Sequence, residues 1–251
     1  MTNFEEIVEY LFLKFTLDFN QIFQISILFS CIWVGLFYTF KAFISETKKL
    51  GWVISLINSA VTTIFGFSYL FYNLNRHKNF FFYGPDPNLI FYSVQNVEVI
   101  ISIWFGSACI FDLLFGVIYY PKYLKLLTGY VHHTVFIWMM VFSCSGNGGF
   151  VKARPFTSAF VYMLIEELPT FLLSLGSIFP SCRTDLGFGI TFLFLRIIYH
   201  FYIVTFAFIS NFHTPGMCLY YATLGMHLLW FRDWTVSYSK TLKKANESKK
   251  N

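Results

Sequence analysis

Imidazole, carboxylate and guanidinium groups recur inside apolar stretches of this chain. His132 and His133 lie within the run 127–142, Asp112 in the run before it, Glu166 and Glu167 in the run after it, and Arg196 with His200 in the next. A charged side chain in hydrocarbon costs roughly 2.5 to 3.5 kcal/mol on insertion scales, so such groups persist where they meet one another or line a polar cavity. An inward histidine can act as general base toward an amine, or attack a thioester carbonyl through a ring nitrogen. Asp112 or Glu166 can orient that ring, and Arg196 or lysines at the span ends can meet phosphate. The candidate catalytic residues are therefore His132, His133, Asp112 and Glu166. Glu167, Arg196 and His200 are the candidate substrate-binding residues.

Helical geometry limits these roles. Neighbours on a helix point about 100° apart, so His132 and His133 cannot face one spot, and neither can Glu166 and Glu167. Arg196 and His200 share a face at i, i+4. A Glu166–Arg196 pair has two readings, a tie between helices or part of a catalytic centre. At roughly 1.5 Å of rise per residue, Asp112, His132 and Arg196 fall on the cytosolic side of mid-membrane, with Glu166 nearer the centre. His227 reads as a packing residue, and His77 and His213 fall in loops.

The elements that must position these groups follow from composition. Of 251 residues, 56% are hydrophobic and only 12% are charged, about half the charge of a soluble domain. Seven apolar segments, about 22–40, 51–73, 97–120, 127–145, 156–180, 187–211 and 214–231, each approach the ~20 residues a helix needs to cross hydrocarbon. The expected fold is an all-α polytopic membrane bundle of about seven transmembrane helices. It divides into an N-terminal interfacial segment (1–21), a first helix (22–44), a main bundle (45–235) and a basic tail (236–251). The acidic N-terminal residues are unlike a signal peptide, and 4–20 carry apolar residues at helical spacing, suited to a membrane surface.

Turn residues at 84–87, 145–149 and 214–216 separate spans, whereas Pro169 falls inside the fifth. It should kink that helix and free a backbone carbonyl near Glu166. Twelve of the 18 basic residues fall on one face of a seven-span bundle, the face that carries the C-terminus. The positive-inside rule makes that face cytosolic. Basic residues gathered at span ends, rather than in a stripe, exclude nucleic acid as a partner despite the net charge of +5. Five cysteines on separate spans form no C-x-x-C pair, so no disulfide framework or zinc motif is expected. Six histidines without an H-x-x-H-H box do not suit a desaturase-type di-iron centre, and no metal or resident cofactor is expected. The abundant Phe and Tyr read as lipid-facing bulk and interfacial belt.

The order of motifs resembles the TLC (TRAM/Lag/CLN-homology) domain over roughly residues 45–235. The carriers are Trp104-Phe-Gly-Ser-Ala-Cys-Ile-Phe-Asp112-Leu-Leu, then Leu127-Thr-Gly-Tyr-Val-His132-His133, then Ile165-Glu166-Glu167-Leu168-Pro169-Thr170-Phe171-Leu172, and Phe-Leu-Phe-Leu-Arg196. The third is similar to a Glu-x-Ser-Thr-Pro-Phe form with Thr and Pro exchanged. Ceramide synthases of this family join acyl-CoA to a sphingoid base and depend on the His-His pair. Their His-Asp-x-x-Asp element has no counterpart at 165–169, and no soluble domain precedes the spans. The chain therefore looks more like the small TLC-domain proteins of lipid homeostasis. That resemblance implies membrane lipids as partners and an endoplasmic reticulum or other endomembrane setting. A ceramide synthase-like acyltransferase with acyl-CoA as co-substrate is the alternative, and a cargo receptor or translocon-associated helper a third.

Overall fold

The computed structural model describes residues 17–76, 96–145, 154–209 and 217–248. These residues form helices and short connections, with no strand among them. Five stretches are long and apolar enough to cross a membrane: Phe19–Phe43, Thr47–Tyr72, Asn96–Tyr119, Ala159–Ile178 and Asp185–Thr205. A shorter apolar helix covers Leu126–Val141. The chain is a multi-pass helical membrane protein.

Helix α1 (Phe19–Phe43) begins three residues ahead of the expected start because Asp18 caps it. The Asp18 carboxylate accepts from the Gln21 N–H at 2.8 Å, and the Gln21 side chain accepts from the Asp18 N–H at 2.9 Å. This reciprocal arrangement satisfies two N–H groups that a helix start otherwise leaves open. After the single turn α2 (Thr47–Leu50) come α3 (Val53–Arg76) and α4 (Asn96–Tyr119). A π-helical turn, Leu126–Val131, leads into α5 (His132–Ser145). The fifth apolar stretch is split into α6 (Arg154–Met163), a 3-10 turn (Leu164–Glu167) and α7 (Leu168–Ile178). The sixth is split into α8 (Asp185–Thr191), a π-helical stretch (Phe192–Tyr199) and α9 (His200–Ile209).

Helix α10 (Met217–Ser248) has 32 residues and runs past the expected boundary at 231. Its length is about 48 Å at 1.5 Å per residue, well beyond the ~30 Å of hydrocarbon. No Pro or Gly interrupts it after Gly225, so the helix continues through the basic segment. Trp234 of α10 is seated against Gly189 of α8, where any Cβ would strike the indole. Of the expected surface segment at 4–20, residues 19 and 20 belong to α1 and residues 4–16 lie outside the described residues, as do the turns at 84–87 and 214–216, the turn at 145–149 beyond Ser145, and His77 and His213.

Helix α4 is the hub and packs against α1, α3, α5 and α6. Trp33 and Phe37 of α1 are fully buried. Phe37 stacks on Phe115 at 4.0 Å between centroids, and Trp33 meets Trp104 at 4.5 Å. A second cluster joins Phe105, Met139, Phe160 and Tyr220 from four helices. The aromatics thus divide: Phe19, Phe43, Phe194 and Phe201 face outward, as expected of lipid-facing bulk, while Trp33, Phe37, Phe105 and Phe160 build the interior. Between apolar helices in lipid, close packing supplies much of the cohesion, and flat rings give it large contact areas.

Gly66 sets the position of the 3-10 turn. A Cβ there would stand 2.8 Å from the Ile165 backbone nitrogen and 3.1 Å from the Leu164 carbonyl carbon. Backbone cannot swing aside as a side chain can, so Gly66→Ala should lose about 1–3 kcal/mol through overpacking. Gly35→Ala is the matched control, since a Cβ there meets nothing within 4 Å. It should gain up to about 1 kcal/mol of helix propensity. Thermal melts in detergent should lower the midpoint for the first variant and not for the second. Equal midpoints would refute the close-approach role of Gly66.

Candidate functional site

The break at Leu164–Glu167 builds the polar centre. In a 3-10 turn each carbonyl accepts from the N–H three residues on, and for Glu166 that residue is Pro169, which has none. Arg196 fills the vacancy: its Nε donates to the Glu166 carbonyl at 2.8 Å. Its Nη2 donates to Glu167 Oε1 at 3.0 Å and to Thr170 Oγ1 at 2.6 Å. The guanidinium fork thus binds three successive features of one broken helix, a task suited to Arg rather than Lys. The side-chain pair is Arg196–Glu167. The expected Glu166–Arg196 ion pair is corrected to a contact with the Glu166 backbone, because the two carboxylates leave the turn in different directions.

The Glu166 carboxylate turns instead toward two imidazoles. Its Oε2 lies 2.9 Å from His200 Nδ1 and 3.7 Å from His227 Nδ1. His200 Nε2 is 3.0 Å from the Tyr220 carbonyl, and His227 Nδ1 is 3.2 Å from the Arg196 carbonyl. Carbonyl oxygens only accept, so both of those nitrogens carry hydrogen. His200 Nδ1 and Glu166 Oε2 then share one proton, which makes their contact a hydrogen bond whichever partner holds it. Glu166, Glu167, Arg196, His200 and His227 are all buried. With Arg196 balancing Glu167, that shared proton keeps the centre electrically neutral.

Asp112 and the histidine pair form an adjoining group. His133 Nε2 faces Asp112 Oδ2 at 3.5 Å, while the Tyr120 hydroxyl donates to Asp112 Oδ1 at 2.5 Å. Tyr120 is buried and holds the carboxylate from the end of α4. His132 turns the other way, edge-on to Phe136 at 4.7 Å and to Trp230 at 5.3 Å. Trp230 in turn touches His227 at 5.8 Å, and His227 meets His200 at 5.2 Å. His132, Trp230, His227 and His200 therefore form a continuous file of rings between the two groups. Among the described residues, Glu166 Oε1, His132 Nδ1 and His133 Nδ1 are buried without a hydrogen-bond partner. These acceptor-capable atoms are where a ligand has something to gain.

A cavity of about 20 Å³ sits between the polar wall of Glu166, Glu167, Arg196, His200 and His227 and the apolar wall of Phe105, Phe136 and Met139. Such a volume holds a water molecule. It is far smaller than an acyl chain.

Glu166, Glu167, Arg196 and His200 meet in one centre, in which Glu166 and Glu167 direct their carboxylates to different partners; of the groups expected at one depth, Glu166 and Arg196 lie in this centre and Asp112 and His132 in the adjoining group. Asp112 and His133 pair with each other, and His132 is brought beside them. His227 is buried and hydrogen-bonded to the Arg196 carbonyl, as a satisfied packing residue would be, and it also stands 3.7 Å from Glu166. Its position as a fourth imidazole within the spans, after His132, His133 and His200, is the signal. Tyr120, Thr170 and the fully buried Glu98 were missed as well; Glu98 accepts from the Tyr69 hydroxyl. No protein-family model, curated protein or solved structure matches this chain.

Proposed function

We propose that this chain is a TLC-type membrane protein of the endomembrane system that handles lipid and tunes bilayer composition, with its C-terminus in the cytosol. The observation that carries this reading is the His133–Asp112 pair, 3.5 Å apart, with the buried His133 Nδ1 left without a partner. It stands beside a π-helical turn whose Leu126, Leu127, Tyr130 and Val131 are exposed, so an acyl chain can lie along that turn while its polar end reaches the imidazole. The interior cavity is too small for a chain and is assigned to water. Protein purified in mild detergent should retain phospholipid or sphingolipid by mass spectrometry, and His133→Ala should retain markedly less. Lipid-free protein, together with an unchanged lipidome on deletion, would end this reading.

The same pair favours a second reading, acyl transfer from acyl-CoA to a sphingoid-type amine. His133 would take the amine proton as nitrogen attacks the thioester carbonyl, forming the amide and releasing the CoA thiol. An assay with acyl-CoA and sphingoid base decides between the two. Product formation by wild type and not by His133→Ala supports transfer, and equal rates rule out the histidine.

A further inference from the structure

We infer that Glu166, His200 and His227 form a binding site for one divalent transition-metal ion of the zinc class. Each offers one ligand atom, all within 4.8 Å of one another, and all three residues are buried. Donors in a tetrahedral site at ~2.0–2.1 Å from zinc stand about 3.4 Å apart. Two of the distances here, 2.9 Å from Glu166 to His200 and 3.7 Å from Glu166 to His227, bracket that value, and with every pair within 4.8 Å the donors close on an ion by side-chain shifts of about an ångström or less.

Three further observations point to an ion. Glu166 Oε1 is buried with no hydrogen-bond partner, an uncompensated acceptor that a cation would satisfy. His200 presents Nδ1 to the site while its Nε2–H is held by the Tyr220 carbonyl. Metal-ligating histidines are typically oriented in this way by a backbone carbonyl or carboxylate. The adjoining cavity of about 20 Å³ has room for the water that completes a two-histidine, one-carboxylate set.

Charge bookkeeping agrees. A dication binds as the proton shared by Glu166 and His200 leaves; where His227 ligates through Nδ1, its hydrogen moves to Nε2 and the ring stays neutral. With Arg196 offset by Glu167, a dication, the Glu166 carboxylate and one metal-bound hydroxide sum to zero, the neutrality a low-dielectric interior demands. Ligand count in the sequence alone disfavoured a metal because it sought a histidine box. The donors instead come one each from the 3-10 turn, α9 and α10, which no local motif encodes.

The test uses the full chain in detergent with the exposed Cys31, Cys182 and Cys218 changed to Ser, stripped by chelator and dialysed against Zn2+ or Co2+ alone. Wild type should take up about one equivalent, release protons on uptake and show the visible bands of low-coordinate Co2+. Glu166→Gln and His227→Gln should weaken uptake at least about tenfold, while His133→Gln, outside the site, should not. A monodisperse wild type that binds neither ion would overturn the inference without reference to any variant. So would retention of the ion by both ligand variants. Because His133 is not a ligand in this site, metal uptake does not depend on the lipid reading, which stands or falls separately.

Discussion

Arg196→Ala is expected to cost about 3–5 kcal/mol, since breaking a buried ion pair strands the remaining charge. The variant leaves the Glu167 carboxylate, the Glu166 carbonyl and the Thr170 hydroxyl without the donors that now reach them. Arg196→Lys should recover only part of this, because one ammonium cannot span three acceptors set by a planar fork. The double change Arg196→Met with Glu167→Met should be less damaging than either single change, since it removes both charges together. Denaturation in mixed micelles measures all five variants. A loss below about 1 kcal/mol for Arg196→Ala would mean that water reaches this guanidinium, contrary to its burial.

The second large effect is expected at Asp112. A carboxylate facing Nε2 favours the tautomer with hydrogen on that nitrogen, leaving the lone pair on Nδ1, the atom the structure leaves unpartnered. Asp112→Asn retains the oxygen that accepts from Tyr120 but presents an N–H to His133, favouring the opposite tautomer. Any function that uses Nδ1 as a base should fall by about 10²- to 10⁴-fold, the range seen when a general base is lost or its tautomer inverted. The melting midpoint should barely move. Nitrogen NMR of the labelled imidazole reads the tautomer directly, apart from any activity. Retained function with an inverted tautomer would remove His133 Nδ1 from the mechanism.

Five of the seven expected spans were legible because length and apolar content answer directly to bilayer thickness, whereas the run at 127–145 gives a shorter apolar helix and that at 214–231 part of a 32-residue helix outside those five. That Glu166 and Arg196 come together was legible for a related reason: charged groups in hydrocarbon have few places to go except toward one another. Pro169 announced a break, but not that an arginine from another span would occupy the carbonyl it left open. The π-helical stretches were not readable, since Phe192–Tyr199 has the same apolar pattern as an ordinary helix. His227 was read as packing because an imidazole in a span looks alike whether it fills space or binds. Only its 3.7 Å approach to Glu166 separates the two. Tyr120 escaped because it stands next to Pro121, where the sequence suggests nothing beyond the end of a helix.

The unbroken length of α10 has a mechanical meaning. His227 and Trp234 are seven residues apart on one rod, about 10 Å along its axis, and Trp234 is seated against the backbone at Gly189. The lysine-bearing end of the same rod, at Lys240, Lys243 and Lys244, carries on without a joint. The lysine-bearing end and the imidazole deep in the bundle are thus parts of one continuous rod, pinned between them where the indole meets Gly189.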